Sequence, residues 1–280
     1  MIPIGLNLTS IGVSSAWWLE SAREAEQAGF AGVWCWDHFV SRGRKTDPVL
    51  ECWTTLSAAA AITSRISVGS FVTNVMNRHP AVLARMLATI SDQSAGRVQL
   101  GIGVGGSGPE LGMYGIALPE PAERVRILED AVAVLRKLWS GGPVDHAGEF
   151  FSLDQAWAHP APQPPPRIIV GGEKPGGARL AARVGDGWTT NAADYERLLP
   201  VHLAELAAHG RTRAEVVHIV ALQIDRDRPI EHQALAADMA ALAAEWQGRG
   251  ADELVVSWVK PAELPVLLEA AAKAGLADSA

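Results

Sequence analysis

The sequence predicts an α/β fold, a (β/α)8 TIM barrel, on three observations. Short β-branched runs alternate with helical patterns along the chain, the signature of parallel βαβ units. The length of 280 residues is ordinary for one such barrel, and no Ser/Gly linker or charge block divides it, so residues 1–280 read as a single domain. Hydrophobic residues make up 48% of the chain and charged residues 20%, a globular composition able to fill a large core.

Eight strands are expected, at Pro3–Asn7, Gly32–Asp37, Ile66–Val72, Val98–Gly103, Arg167–Gly171, Gly187–Asn191, Val216–Ile224 and Glu253–Trp258. Helices fall between them, with start signals at Ser14 and Ser15 before Trp17–Ala28, at Pro80 before a helix reaching about Ser94, and at Pro121 before one reaching Trp139. In the helix from Pro80, Val82, Leu83, Met86, Leu87 and Ile90 recur at helical spacing and form the face expected to lie on the sheet. Residues 140–166 break the rhythm with Gly141-Gly142-Pro143, Phe150-Phe151 and a run of prolines from Pro160 to Pro166. They read as a loop or short hairpin followed by a stiff, polyproline-like connector on the stability face of the barrel, away from the catalytic face. Cys35 on a strand and Cys52 on a helix read as buried small hydrophobes, with neither disulfide nor metal spacing.

A formal net charge of −7 removes the diffuse basic field that nucleic acid or an anionic membrane would need. The start Met1-Ile2-Pro3-Ile4-Gly5 lacks a signal-peptide pattern, and no apolar run approaches membrane-spanning length. The expectation is a soluble, cytoplasmic protein whose partner is a small-molecule substrate, with no nucleic acid and no membrane.

Chemistry in such a barrel belongs to the residues just after each strand. The second strand ends in Trp36-Asp37-His38-Phe39. Adjacent residues on an extended strand face opposite ways, so one of Asp37 and His38 enters the site and the other supports it. His38 is the better proton carrier, because imidazole titrates near neutrality. A structural pairing of His38 with Asp37, or a helix-capping role, is equally open. The basic segment Arg42-Gly43-Arg44-Lys45 reads first as a solvated loop and second as a clamp for an anionic tail. After the third strand, Thr73 and Asn74 offer hydrogen bonds where a planar heterocycle could rest, while Arg78 and His79 read equally well as loop ion-pair partners.

Gly101, Gly103 and Gly106 fit the dinucleotide pattern G-x-G-x-x-G. Further glycines and Pro109 are expected to continue the loop instead of opening a helix, and no acid ends a strand about twenty residues on, so a Rossmann site is rejected. Close approach of backbone to a ligand explains the glycines better. A second glycine-rich turn, Gly171-Gly172-Glu173-Lys174-Pro175-Gly176-Gly177, opens a helix and is suited to phosphate. The strand ends do not offer the repeated His and carboxylate ligands of a metal-dependent hydrolase, and no metal is expected.

In these residues the chain resembles the luciferase-like monooxygenase superfamily, and within it the branch that uses the deazaflavin coenzyme F420. The resemblance spans residues 3–191. It rests on Ala25-Glu26-Gln27-Ala28-Gly29-Phe30 leading to Val33–His38, on Thr63–Gly69, Arg78-His79-Pro80 and Gly96–Gly103, and on Glu123-Arg124, Leu138-Trp139 and Gly185–Trp188. It implies a luciferase-like barrel and an F420-dependent oxidoreductase that moves a hydride between the deazaflavin and a small organic substrate. The matching positions put a bulge with a non-proline cis peptide at Phe71-Val72 under the ring, and Thr73 and Asn74 at the ring edge. Backbone contacts along the ribityl phosphate chain would come from Gly105, Gly106, Ser107, Gly171, Gly172, Glu173 and Lys174. His38, backed by Asp37, matches a histidine near the reacting carbon.

Departures matter too. Sugar-phosphate dehydrogenases of the family carry an aromatic residue, a Glu and an Asn where this chain has Arg42, Gly106 and Pro109, which argues against that substrate. Only Asp225–Pro229 stands where longer members carry a lid, which implies an open pocket or one completed in a homodimer. The alternatives are an FMN-dependent monooxygenase of the same fold and a noncatalytic deazaflavin-binding protein.

Overall fold

The computed structural model describes residues 1–106 and 108–279. Eight of its strands are those expected: β1 (Ile4–Leu8), β2 (Gly32–Cys35), β3 (Ser67–Asn74), β4 (Val98–Gly103) and, after the hairpin β5 (Val144–Ala147) and β6 (Ser152–Ala156), β7 (Arg167–Gly171), β8 (Gly187–Asn191), β9 (Val217–Gln223) and β10 (Glu253–Val259). The helices are α1 (Ser15–Gln27), α2 (Cys52–Ile62), α3 (Pro80–Gln93), α4 (Gly108–Met113), α5 (Pro121–Leu138), α6 (Pro175–Val184), α7 (Ala192–Ala208), α8 (Ala234–Ala237), α9 (Met239–Gly248) and α10 (Leu264–Lys273). The eight parallel strands close in the order β1-β10-β9-β8-β7-β4-β3-β2. Among the described residues, no helix is long and apolar enough to cross a membrane.

Strands covered on both faces have two cores to fill. Leu6, Val33, Val68, Leu100, Ile168, Val220 and Val256 point outward into the large core under the helices. Trp34, Phe71, Ile169, Ile219, Ala221 and Val255 point inward and fill the lumen. Trp34 is fully buried, and three glycines make room for it. A Cβ on Gly69 would stand 2.5 Å from the indole Cζ3, and one on Gly5 would stand 2.7 Å from Nε1. The lumen is thus a packed floor, and the site must lie above it, at the C-terminal ends of the strands.

Two expectations need correction here. Val82 is 54% exposed, and the buried stripe of α3 runs through Leu83, Ala84, Leu87, Ala88 and Ile90. At 100° per residue, small Ala84 and Ala88 move the centre of the stripe away from Val82, so alanine decides which face turns inward. The connection from α5 to β7 is a hairpin, but it does not stay on the stability face. Lys137 donates to the Asp145 carbonyl, Asp130 accepts from the Phe150 and Phe151 amides, and the Arg126 guanidinium stands 5.8 Å from the centre of the Phe150 ring. These contacts step back along α5 over about 16 Å at the helical rise, so the hairpin is strapped to the outside of that helix. Its tip reaches the catalytic end, where Phe151 meets His79 edge-on. The connector that follows contains cis His159–Pro160 and Gln163–Pro164 bonds in place of an unbroken polyproline run.

At the bottom of the lumen Glu253 is pushed up to about 7 by burial, against the pull of Arg167. The folded state therefore holds this proton up to a higher pH than the unfolded chain does. The associated stability is fully present below the ordinary carboxylate range near 4.5 and is lost as pH rises towards 7. Glu253→Gln is expected to match the native protein in urea unfolding at pH 4.5 and to be more stable than it at pH 8; equal stability at both would contradict this.

Candidate functional site

A cavity of about 750 Å³ opens at the C-terminal ends of the strands, within the size range of small-molecule sites. Its wall divides in two. Phe71 and Val72 on β3 and the glycine turns after β4 and β7 form one half; Trp36, His38, Ser257, Gln223 and Asn191 stand on the other.

The second half is organised by a buried ion pair. The chain leaves the ladder after Cys35, turning Asp37 into the protein, where its side chain is 1% exposed. Arg78 grips it with both ends of its guanidinium, Nη1 to Oδ2 at 2.7 Å and Nη2 to Oδ1 at 2.8 Å. The Asn74 amide and the Asn77 side chain add donors to Oδ2, each at 3.1 Å. Arg78 also donates to Glu51, whose carboxylate caps α2 through the Trp53 and Thr54 amides. Burial alone would disfavour the charge on Arg78, but hydrogen bonding and attraction from Asp37, with Glu51 behind, hold it above the ordinary guanidinium range. The oxygens of Asp37 are occupied by donors of β3, of the turn after it and of Arg78.

That turn presents His38 to the cavity. His38 Nδ1 lies 2.9 Å from Glu110 Oε2, and Glu110 Oε1 accepts the Phe39 amide and, at 3.4 Å, the Val40 amide. A carboxylate that receives backbone N–H groups is an acceptor, so the hydrogen-bond network assigns the proton to Nδ1 and leaves the lone pair on Nε2. The pairing of His38 with Asp37 left open by the sequence is replaced by one with Glu110. Here the expected continuous loop is corrected: the glycines after β4 do open a helix, α4, with Pro109 in its first turn and Glu110 beside it. Proline in a first turn lacks only a donor that has no helical partner, which permits a short helix despite the glycines.

In the first half, the Phe71–Val72 peptide is cis, and the β3–β4 register shifts between Ser70 and Thr73, at the position the resemblance implied. Val72 stands against β4 and β7, where Cβ atoms on Gly101, Gly103 and Gly171 would lie 3.0–3.2 Å from its methyl carbons. Gly103 and Gly171 leave space for Val72 and also line the cavity, while a Cβ on Gly101 would first meet the Ser70 carbonyl oxygen at 2.1 Å. Gly172 is packed against Gly177, where a Cβ would meet backbone at 2.5 Å, and its carbonyl accepts from the Trp188 indole at 3.4 Å. Gly105 has φ of 79°, and its carbonyl accepts from Arg124, whose buried Nε has no partner among the described residues. Gly106 is open to the cavity, Glu173 and Lys174 line its rim, and Ser107 lies outside the described residues. Asn74 lines the cavity with its Oδ1 accepting from Met76, whereas the Thr73 hydroxyl turns back to accept from the buried Trp53 indole at 3.1 Å. Of the basic segment, Arg42 lines the cavity and Arg44 pairs with Asp47.

With this geometry in view, the chain matches the luciferase-like monooxygenase family over residues 11–261. It belongs to that family. An F420-dependent glucose-6-phosphate dehydrogenase of Microbacterium testaceum is 31% identical over 79% of this chain and 68% of its own length. An F420-dependent hydroxymycolic acid dehydrogenase of Mycobacterium tuberculosis is 34% identical over 71% of this chain. The chain covers 58% of that relative's length. The fold of an F420-dependent secondary alcohol dehydrogenase, solved with an F420–acetone adduct, superposes with a TM-score of 0.83 at 22% identity, over 96% of each chain.

Two residues that line the cavity were not singled out by sequence reasoning. Glu110 carried one signal, a carboxylate in the first turn after a proline. Arg124 carried only its place in the Glu123-Arg124 pair. Removing Arg78 would leave Asp37 buried without its counter-charge, which costs about 3–5 kcal/mol. Arg78→Ala is therefore expected to lower the urea midpoint by a corresponding amount; an unchanged midpoint would contradict the role assigned to the pair.

Proposed function

We propose that this protein is a coenzyme F420-dependent oxidoreductase that transfers a hydride between the deazaflavin and a small organic substrate. The observation that carries it is the convergence on one cavity of two glycine turns, the Phe71–Val72 bulge and a histidine held by a carboxylate. The F420-dependent dehydrogenases among its relatives support the choice of cofactor.

The residues present fit such a cofactor. Glycine at Gly106 leaves backbone open to an anion, and the partnerless Nε of Arg124 beside Gly105 adds a cation with an unspent donor. The ring would rest on Phe71 and Val72 with Asn74 at its edge, and the phosphate chain would run along Gly105, Gly106, Gly171, Gly172, Glu173 and Lys174. When bound, the deazaflavin supplies a ring carbon that takes up or releases a hydride. As a carbinol hydrogen departs as hydride, Nε2 of His38 accepts the hydroxyl proton, and in the opposite direction it returns that proton to the carbonyl oxygen. Glu110 holds the imidazole in the tautomer this requires and stabilises the imidazolium that forms, while Asp37 and Arg78 fix the turn that carries it. The bare Gly106 and the exposed Arg42 support a substrate other than a sugar phosphate.

We further propose a homodimer, for which the exposed Val82 on α3 is an apolar contact, and residence in the cytoplasm, where the two free, buried cysteines suit a reducing compartment.

Titration with F420 and with FMN, followed by the fluorescence of the ten tryptophans, is expected to show tight binding of the deazaflavin. Hydride exchange between bound F420 and a panel of alcohols and carbonyls is then expected. Binding of FMN alone, or of F420 with no exchange across the panel, would overturn the assignment. His38→Ala is expected to bind F420 as the native protein does and to turn over about 10²–10⁴-fold more slowly. Native turnover would remove His38 from the reaction. Glu110→Gln presents an amide that can donate to Nδ1 and favours the wrong tautomer, so kcat is expected to fall with F420 affinity unchanged; a native kcat would exclude that orienting role.

A further inference from the structure

Beside the mouth of the barrel lies a second, smaller space of about 240 Å³. It is walled by Leu222 on β9, Ala192 at the start of α7, Ala234 and Leu235 on α8, and Leu242 on α9. Gln223 lines both this groove and the main cavity, so that residue borders the two. Its amide donates to Asn191 Oδ1 at 3.2 Å, and the pair forms a polar step between the aliphatic groove and the chamber that contains His38.

The groove is built before any ligand arrives. Its edge is the segment after β9, and the buried Gln233 side chain pins that segment, accepting the Asp225 amide at 3.0 Å and donating to the carbonyls of Asp225 at 2.8 Å and Arg228 at 3.0 Å. Asp225 and Arg228 also border the groove, while its walls are methyl and methylene groups. The groove is open at the surface, with Ala234 exposed at its edge and Leu242 half-buried. Preformed walls bind without an ordering cost, and their only gain comes from apolar surface taken out of water.

We propose that this groove receives the aliphatic chain of the substrate, which is an alcohol or ketone with its oxygen-bearing carbon beside His38 and its chain passing over Gln223 to lie between Leu222, Leu235 and Leu242. The proposal rests on the oxidoreductase reading for the identity of the reacting end. Its commitment to a substrate chain rests on Gln223, the residue that borders both the groove and the cavity.

The test is binding without turnover. Dissociation constants for straight-chain alcohols from ethanol to decanol are measured on the whole protein by ligand-observed NMR. Affinity is expected to rise by about fourfold per added methylene, the equivalent of ~0.8 kcal/mol, until the groove is full. Two variants check where the chain sits: Leu235→Asn within the wall, and Ala234→Glu at an exposed wall position that leaves the core untouched. Each is expected to flatten the series while binding ethanol as the native protein does. No dependence on chain length, or the same dependence in the native protein and in Ala234→Glu, would overturn the proposal. So would a change of sedimentation state in Ala234→Glu with an unaltered series, which would give the groove to a second copy. F420 reduction by the same alcohols is read separately. A retained series with no reduction of F420 by any of them counts against the redox assignment and not the groove, whereas oxidation of ethanol and decanol with equal efficiency and no binding series counts against the groove alone.

Discussion

The catalytic end of this barrel depends on the buried pairing of Asp37 with Arg78. Four segments meet there: the turn leaving β2, the end of β3, the turn before α3 and, through Glu51, the start of α2. A bidentate guanidinium–carboxylate contact is geometrically specific, and in a site this dry neither partner can be lost without stranding the other charge. Its consequence lies one residue on. Because Asp37 turns inward, His38 is presented to the cavity, where Glu110 from α4 selects its tautomer.

Two large side chains set the shape of everything beneath. Trp34 fills the lumen where Gly5, Gly32 and Gly69 leave space, giving a floor on which nothing else can rest. Val72, following the cis bond, fits against Gly101, Gly103 and Gly171 and gives the cavity one firm apolar wall. Gly105 leaves space for the Asn74 side chain and Gly106 is open to the cavity, and there Arg124 braces the turn by donating to the Gly105 carbonyl. The two halves of the cavity differ accordingly, one glycine-lined and the other polar and tryptophan-bearing.

Much of the barrel was legible in the sequence, because period and spacing encode it. The eight strands fall within a few residues of their expected places, the helix starts at Ser14, Pro80 and Pro121 are real, and the cis bond lies at Phe71–Val72 as the resemblance implied. What was not legible depends on long-range contact. Glu110 and His38 are separated by 72 positions, and only a helix that the glycines seemed to forbid brings them together. Val82 belongs to an apolar repeat but faces out, because Ala84 and Ala88 pack closer than valine would. The direction of the β5–β6 hairpin is set by Asp130 accepting two of its amides, which no local pattern announces. The Thr73 hydroxyl also accepts from the indole of Trp53, twenty positions away, a contact that no local pattern announces.

The central claim is that a deazaflavin ring lies across the cis Phe71–Val72 bulge with its phosphate on the two glycine turns and its reacting face towards His38. A crystal structure of the protein with F420 tests it most directly. The account predicts the ring against Val72, phosphate oxygens within hydrogen-bond distance of backbone amides after β4 and β7, and the substrate space bounded by His38, Gln223 and Ser257. A ring bound elsewhere, or a phosphate held by neither glycine turn, would contradict it.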